Sequence, residues 1–132
     1  MPIVVGYAPT PEGEAALTAS GEEARRRNTR IVVVTTTKGE SHVDPTYRQT
    51  SALAHMVASM RQEGLEVEVN DHGVNDDPAH AIVEVAEEVG AELVVIGLRR
   101  RSAVGKLLLG STAQTVLMRA PCSVLAVRGQ GR

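Results

Sequence analysis

Residues 94–112 carry the residue types and spacings best suited to binding a charged ligand. An apolar run, Val94-Val95-Ile96, enters Gly97. Arg99, Arg100 and Arg101 follow, then Gly105-Lys106, and Gly110-Ser111-Thr112 open a helical pattern. The first N–H groups of a helix have no partner inside it and carry a partial positive charge, so they attract phosphate and other anions. Three arginines add fixed charge on forked donors. The stretch holds no obvious catalytic group. A Gly-x-Ser-x-Gly nucleophile turn is absent. His42, His55, His72 and His80 show no metal-ligand spacing, so no metal site is expected.

Two common phosphate loops fail at the residue level. A Walker A loop needs Gly-Lys followed by Ser or Thr, with a glycine five positions upstream. Here Leu107 follows Gly105-Lys106, and Arg100 occupies the upstream position. A dinucleotide fingerprint needs closely spaced glycines after the first strand. That loop reads Ala8-Pro9-Thr10-Pro11.

The elements that must position these residues follow from periodicity. Apolar runs at 3–7, 30–36, 66–70, 93–97 and 123–128 are rich in Val and Ile, as strands are. Four of them are nearly continuous in apolar character, which suits strands covered on both faces. The third, Glu66-Val67-Glu68-Val69-Asn70, alternates strictly and belongs at a sheet edge. Between the runs, helical stripes recur at i, i+3, i+4 and i+7: Leu53, Met56, Val57 and Met60; Ile82, Val85, Ala86 and Val89; Ala113, Val116, Leu117 and Ala120. A first helix spans about residues 12–27, with Ala16, Leu17 and Ala24 inward and Gly21 as a flaw. Asp77-Pro78 starts a helix, while Gly64 and Gly90 suit helix ends. Residues 37–47 form the longest loop, and 129–132 a frayed tail. The alternation implies one α/β domain over residues 1–132, a parallel sheet with right-handed crossovers and helices on both faces. Ligands in such sheets bind beyond the strands' C-terminal ends.

Composition narrows the function classes. Of 132 residues, 42% are hydrophobic and 23% charged, which is globular rather than disordered. A net charge of −2 argues against nucleic acid as a partner, and two tyrosines with no Phe or Trp leave no base-stacking platform. Cys122 is the single cysteine, so no internal disulfide forms. No signal peptide and no bilayer-spanning run is evident, and a cytoplasmic location with no membrane partner is expected.

The chain resembles the universal stress protein family along essentially its whole length. That family's nucleotide signature reads Gly, two residues, Gly, nine residues, then Gly and Ser or Thr. Here Gly97, Leu98-Arg99, Arg100, nine residues through Leu109, and Gly110-Ser111 fill it. Leu107-Leu108-Leu109-Gly110-Ser111, Arg119-Ala120-Pro121-Cys122-Ser123-Val124-Leu125-Ala126-Val127 and Asp77-Pro78-Ala79-His80-Ala81-Ile82 are also similar to it. The resemblance implies a Rossmann-like fold of the adenine nucleotide alpha hydrolase type, with a five-stranded sheet in order 3-2-1-4-5. It implies a stress-response protein that binds an adenine nucleotide, ATP with Mg²⁺, over strands one and four. No residue is an evident base for water activation, so an enzyme is not expected and a weak ATPase is the last-ranked reading. Phosphate contacts are implied at Gly97, Gly110, Ser111 and Thr112, and base and sugar contacts near Pro9, Thr36 and Ile96. Arg100 joins them on charge grounds. It stands in place of the signature's second glycine, where it either blocks a triphosphate or pairs with its oxygens. Ala8 stands where nucleotide-binding members carry an Asp that meets the nucleoside, and a methyl makes no hydrogen bond. The alternative reading is a nucleotide-free dimeric scaffold in which Ala8 and Arg100 have disabled the site. In both readings a homodimer is expected through the last strand, Val124 to Val127.

Overall fold

The computed structural model describes residues 1–35, 44–71, 77–98 and 109–129, with side chains of the second helix described from residue 52 onward. The elements are β1 (Ile3–Tyr7), α1 (Pro11–Arg27), β2 (Ile31–Thr35), α2 (Asp44–Gln62), β3 (Val67–Asn70), α3 (Pro78–Val89), β4 (Leu93–Leu98), α4 (Ser111–Arg119) and β5 (Ser123–Arg128). The sheet runs β3-β2-β1-β4-β5, with all pairs parallel. This is the expected order, with the alternating strand at one edge. Residues 44–47, expected in a loop, belong to α2.

Period-two alternation divides the core. Ile3, Val5, Ile31, Val33, Leu93 and Val95 face Leu17 of α1 and Leu53 and Val57 of α2. Val4, Val32, Val34, Val94 and Ile96 face Ile82 and Val85 of α3 and Val116 of α4. Leu17, Ile31, Ile82 and Val116 are fully buried, each stabilising the fold by about 1.5–3 kcal/mol. Gly21, a flaw by helix propensity, lies on the buried side of α1. A Cβ there would come 3.1 Å from Met60 Cε, so the glycine leaves room for the end of the Met60 side chain. Leu117 departs from the expected inward stripe: it is 43% exposed, and Met118 beside it is 83% exposed. A nine-residue helix turns too few times to bury more than Ala113 and Val116.

Positive φ appears where helices end, at Asn28, Gly64 and Gly90. The arginines that close α1 are engaged at the opposite end of the sheet from the strand C-termini. Arg25 pairs with Glu63, Arg27 with Glu23 and Glu92, and Arg26 with Glu23. Solvent screens such pairs, so they add little to stability. Among the described residues, no helix is long and apolar enough to cross a membrane.

One detail of register positions the site. β1 and β2 stay paired to Tyr7–Thr35, and β4 and β5 to Leu98–Arg128. β1 and β4 pair only to Val5–Val95. The two central strands therefore part at their C-terminal ends, opening a crevice where the order of the sheet reverses.

Candidate functional site

A cavity of about 450 Å³ fills that crevice, within the range of small-molecule sites. Its floor is Gly6, Ile96 and Ile82. Gly6 leaves room for α3, since a Cβ there would come 2.5 Å from Ile82 Cδ1. The first turns of α1, α3 and α4 converge on it, contributing Glu12 and Gly13, Pro78, and Ser111 to Ala113.

The wall formed by the β1–α1 turn is closed on itself. Thr10 Oγ1 accepts from Gly13 N at 3.0 Å, capping α1, and Thr10 N donates to Ala8 O at 2.8 Å. A Cβ on Gly13 would lie 1.9 Å from Ala8 O, so only glycine allows this turn. Gly97 answers to the same wall. It lies within β4 and has no positive φ, so it is not a turn glycine. A Cβ at 97 would fall 2.4 Å from Glu12 O, so its bareness serves the packing of α1. Gly129, the first residue of the expected frayed tail, packs likewise: a Cβ there would lie 3.0 Å from Glu12 N.

Among the described residues the opposite wall is open. α4 begins at Gly110, whose backbone is extended and which supplies no side-chain cap. Gln114 N donates to Gly110 O at 3.0 Å, closing the first turn. The amides of Ser111, Thr112 and Ala113 precede that bond, and Gly110, the cap residue, offers them no side chain. Ser111 is exposed, Thr112 half-buried, and Ser111 is the first helical residue rather than the cap. Among the described residues nothing lies within 4 Å of where a Cβ on Gly110 would stand. By contrast α3, the third helix at the cavity, is capped: Asp77 Oδ2 accepts from His80 N at 3.0 Å.

Of the residues expected at the site, Ile96, Gly97, Gly110, Ser111 and Thr112 come together on this cavity. Pro9 sits half-buried in the β1–α1 turn but is not among the lining residues. Thr36 and Arg100 lie outside the described residues. Ala8 does line the cavity, presenting a methyl. Sequence reasoning passed over Thr10, Glu12 and Gly13. The signal available was Thr10-Pro11 followed by Gly13, a cap, a first helical proline and the amide that the cap receives.

Two other chemistry-bearing groups stand apart. His80 is largely exposed, 3.7 Å from Glu84. Cys122 is half-buried, and desolvation pushes its thiol pKa up.

The comparisons agree with this architecture. Residues 1–128 match the model of the universal stress protein family. A universal stress protein of Mycolicibacterium smegmatis is 39% identical over 129 residues, covering 98% of each chain. A solved universal stress protein from Archaeoglobus fulgidus superposes with a TM-score of 0.76 at 34% identity, covering 96% of this chain and 97% of that one. A second structure, of the universal stress protein from Archaeoglobus fulgidus in complex with dAMP, gives 0.68 at 30% identity over 96% of each. With the family model spanning nearly the whole length, the chain belongs to the universal stress protein family.

Proposed function

We propose that the chain is a cytoplasmic stress-response protein that binds an adenine nucleotide, specifically ATP with Mg²⁺, and acts through occupancy rather than catalysis. The observation that carries this reading is the unfinished wall. The first amides of α4 are left without a side-chain cap, and Gly110 is bare where no described neighbour requires it. Both make sense if an anion completes that helix start. The dAMP complex of the relative from Archaeoglobus fulgidus supports the nucleotide class. Gly97, Gly110, Ser111 and Thr112 would meet the phosphates, and Ile96 and the Pro9 turn would border the nucleoside.

One observation favours the scaffold reading instead. Ala8 offers the cavity only a methyl, so a nucleoside contact is missing on the closed wall. Thermal melting with increasing ATP and MgCl₂ separates the two readings. A bound ligand at a hundred times its Kd stabilises by about 2.7 kcal/mol, so Tm climbs with concentration. An unchanged Tm at millimolar nucleotide, with no heat in calorimetry, rejects the nucleotide reading. Arg100→Gly then reads the side chain that replaces glycine: tighter binding identifies a block, weaker binding a phosphate clamp.

A homodimer through β5 is part of the proposal. The strand lies at the sheet edge, and Val124, Leu125, Ala126 and Val127 are all half-exposed. An apolar edge of that length invites pairing with a second copy. Sedimentation velocity should show a dimer; a monomer at micromolar concentration counts against it.

A further inference from the structure

We propose that Glu12 makes the binding of a polyphosphate in this cavity depend on a divalent cation, with its carboxylate and the ligand's phosphate oxygens sharing the ion. The inference rests on the nucleotide reading and adds a residue that reading does not use. Glu12 is the only ionisable residue among the described residues that line the cavity. Its place is fixed by two bare positions. A Cβ at Gly97 would strike its carbonyl, and one at Gly129 would crowd its amide nitrogen at 3.0 Å. Those glycines lie at the C-terminal ends of β4 and β5, the strands that α4 connects. Glu12 is thus seated over the C-terminal ends of β4 and β5, and it lines the same cavity as Gly110 and Ser111.

A carboxylate and a polyphosphate in one cavity repel each other, and each added phosphate charge raises the cost. A divalent cation between them reverses the sign. Mg²⁺ is a hard cation that prefers oxygen, and it is commonly held by one or two carboxylates together with substrate phosphates. One protein carboxylate is therefore sufficient. The described residues hold no group of three or more His, Cys, Asp or Glu that could bind a metal unaided. The cation accordingly enters with the nucleotide. Glu12 also takes part in an interaction within the chain.

The test is isothermal titration calorimetry of the full chain with ATP and with AMP, each in EDTA and in millimolar MgCl₂. Magnesium should strengthen ATP binding about tenfold or more, and AMP binding much less. In Glu12→Gln, an isosteric neutral change, metal-free ATP should bind more tightly than to the wild type, and the magnesium gain should shrink to about threefold or less. A magnesium gain of the same size in Glu12→Gln and wild type overturns the role of Glu12 and leaves the nucleotide reading standing. Failure of both ATP and AMP to bind in any condition overturns the nucleotide reading and this inference with it.

Discussion

The two walls of the cavity are built on opposite plans. On the α1 side the chain meets its own needs: Thr10 caps the helix, and Gly13 and Gly97 are bare because backbone fills their places. On the α4 side the helix start has no side-chain cap, and Gly110 is bare although no described neighbour presses on it. The difference teaches how to read a glycine in a binding motif. One that a neighbour's backbone demands reports packing. One that no described neighbour demands is the better pointer to a ligand.

That contrast fails if the two walls respond alike to substitution. The largest effect should come from Gly13→Ala. With a Cβ 1.9 Å from Ala8 O, the β1–α1 turn must open, at a cost of about 3 kcal/mol or more in chemical denaturation. Loss below about 0.5 kcal/mol would mean that the closed wall is soft. Next is Asp77→Ala, which removes the cap of α3 and should cost about 1 kcal/mol. The smallest change in stability should come from Gly110→Asp. It supplies α4 with a capping oxygen and adds a few tenths of a kcal/mol, while ATP affinity falls at least about tenfold because the new carboxylate occupies the anion's place. A Gly110→Asp chain that binds ATP as well as wild type would break the comparison.

Strand order and helix faces were legible because parallel, doubly covered strands and amphipathic helices imprint strong periods on the sequence. β3 declared its edge position by alternation, and Asp77-Pro78 declared a capped start. What periodicity does not encode is contact between distant elements. Gly97 matched a phosphate signature, yet its bareness serves Glu12, far away in the chain. Leu117 kept helical spacing but lies exposed, because the short α4 buries only Ala113 and Val116. Glu12 had no motif around it. Its position at the cavity arises from the packing of α1 against the ends of β4 and β5, which only the fold supplies. One wall of the site, Gly110 to Thr112, was readable because a helix start and its backbone amides are local in sequence.

The central claim is that the open first turn of α4 receives the phosphate of a nucleotide. Titrating ATP with MgCl₂ into the ¹⁵N-labelled chain and following amide resonances tests it most directly. The account predicts saturable shifts that are largest at Gly110, Ser111 and Thr112. Saturable shifts that leave those three amides unmoved, or no shifts at all, would contradict it.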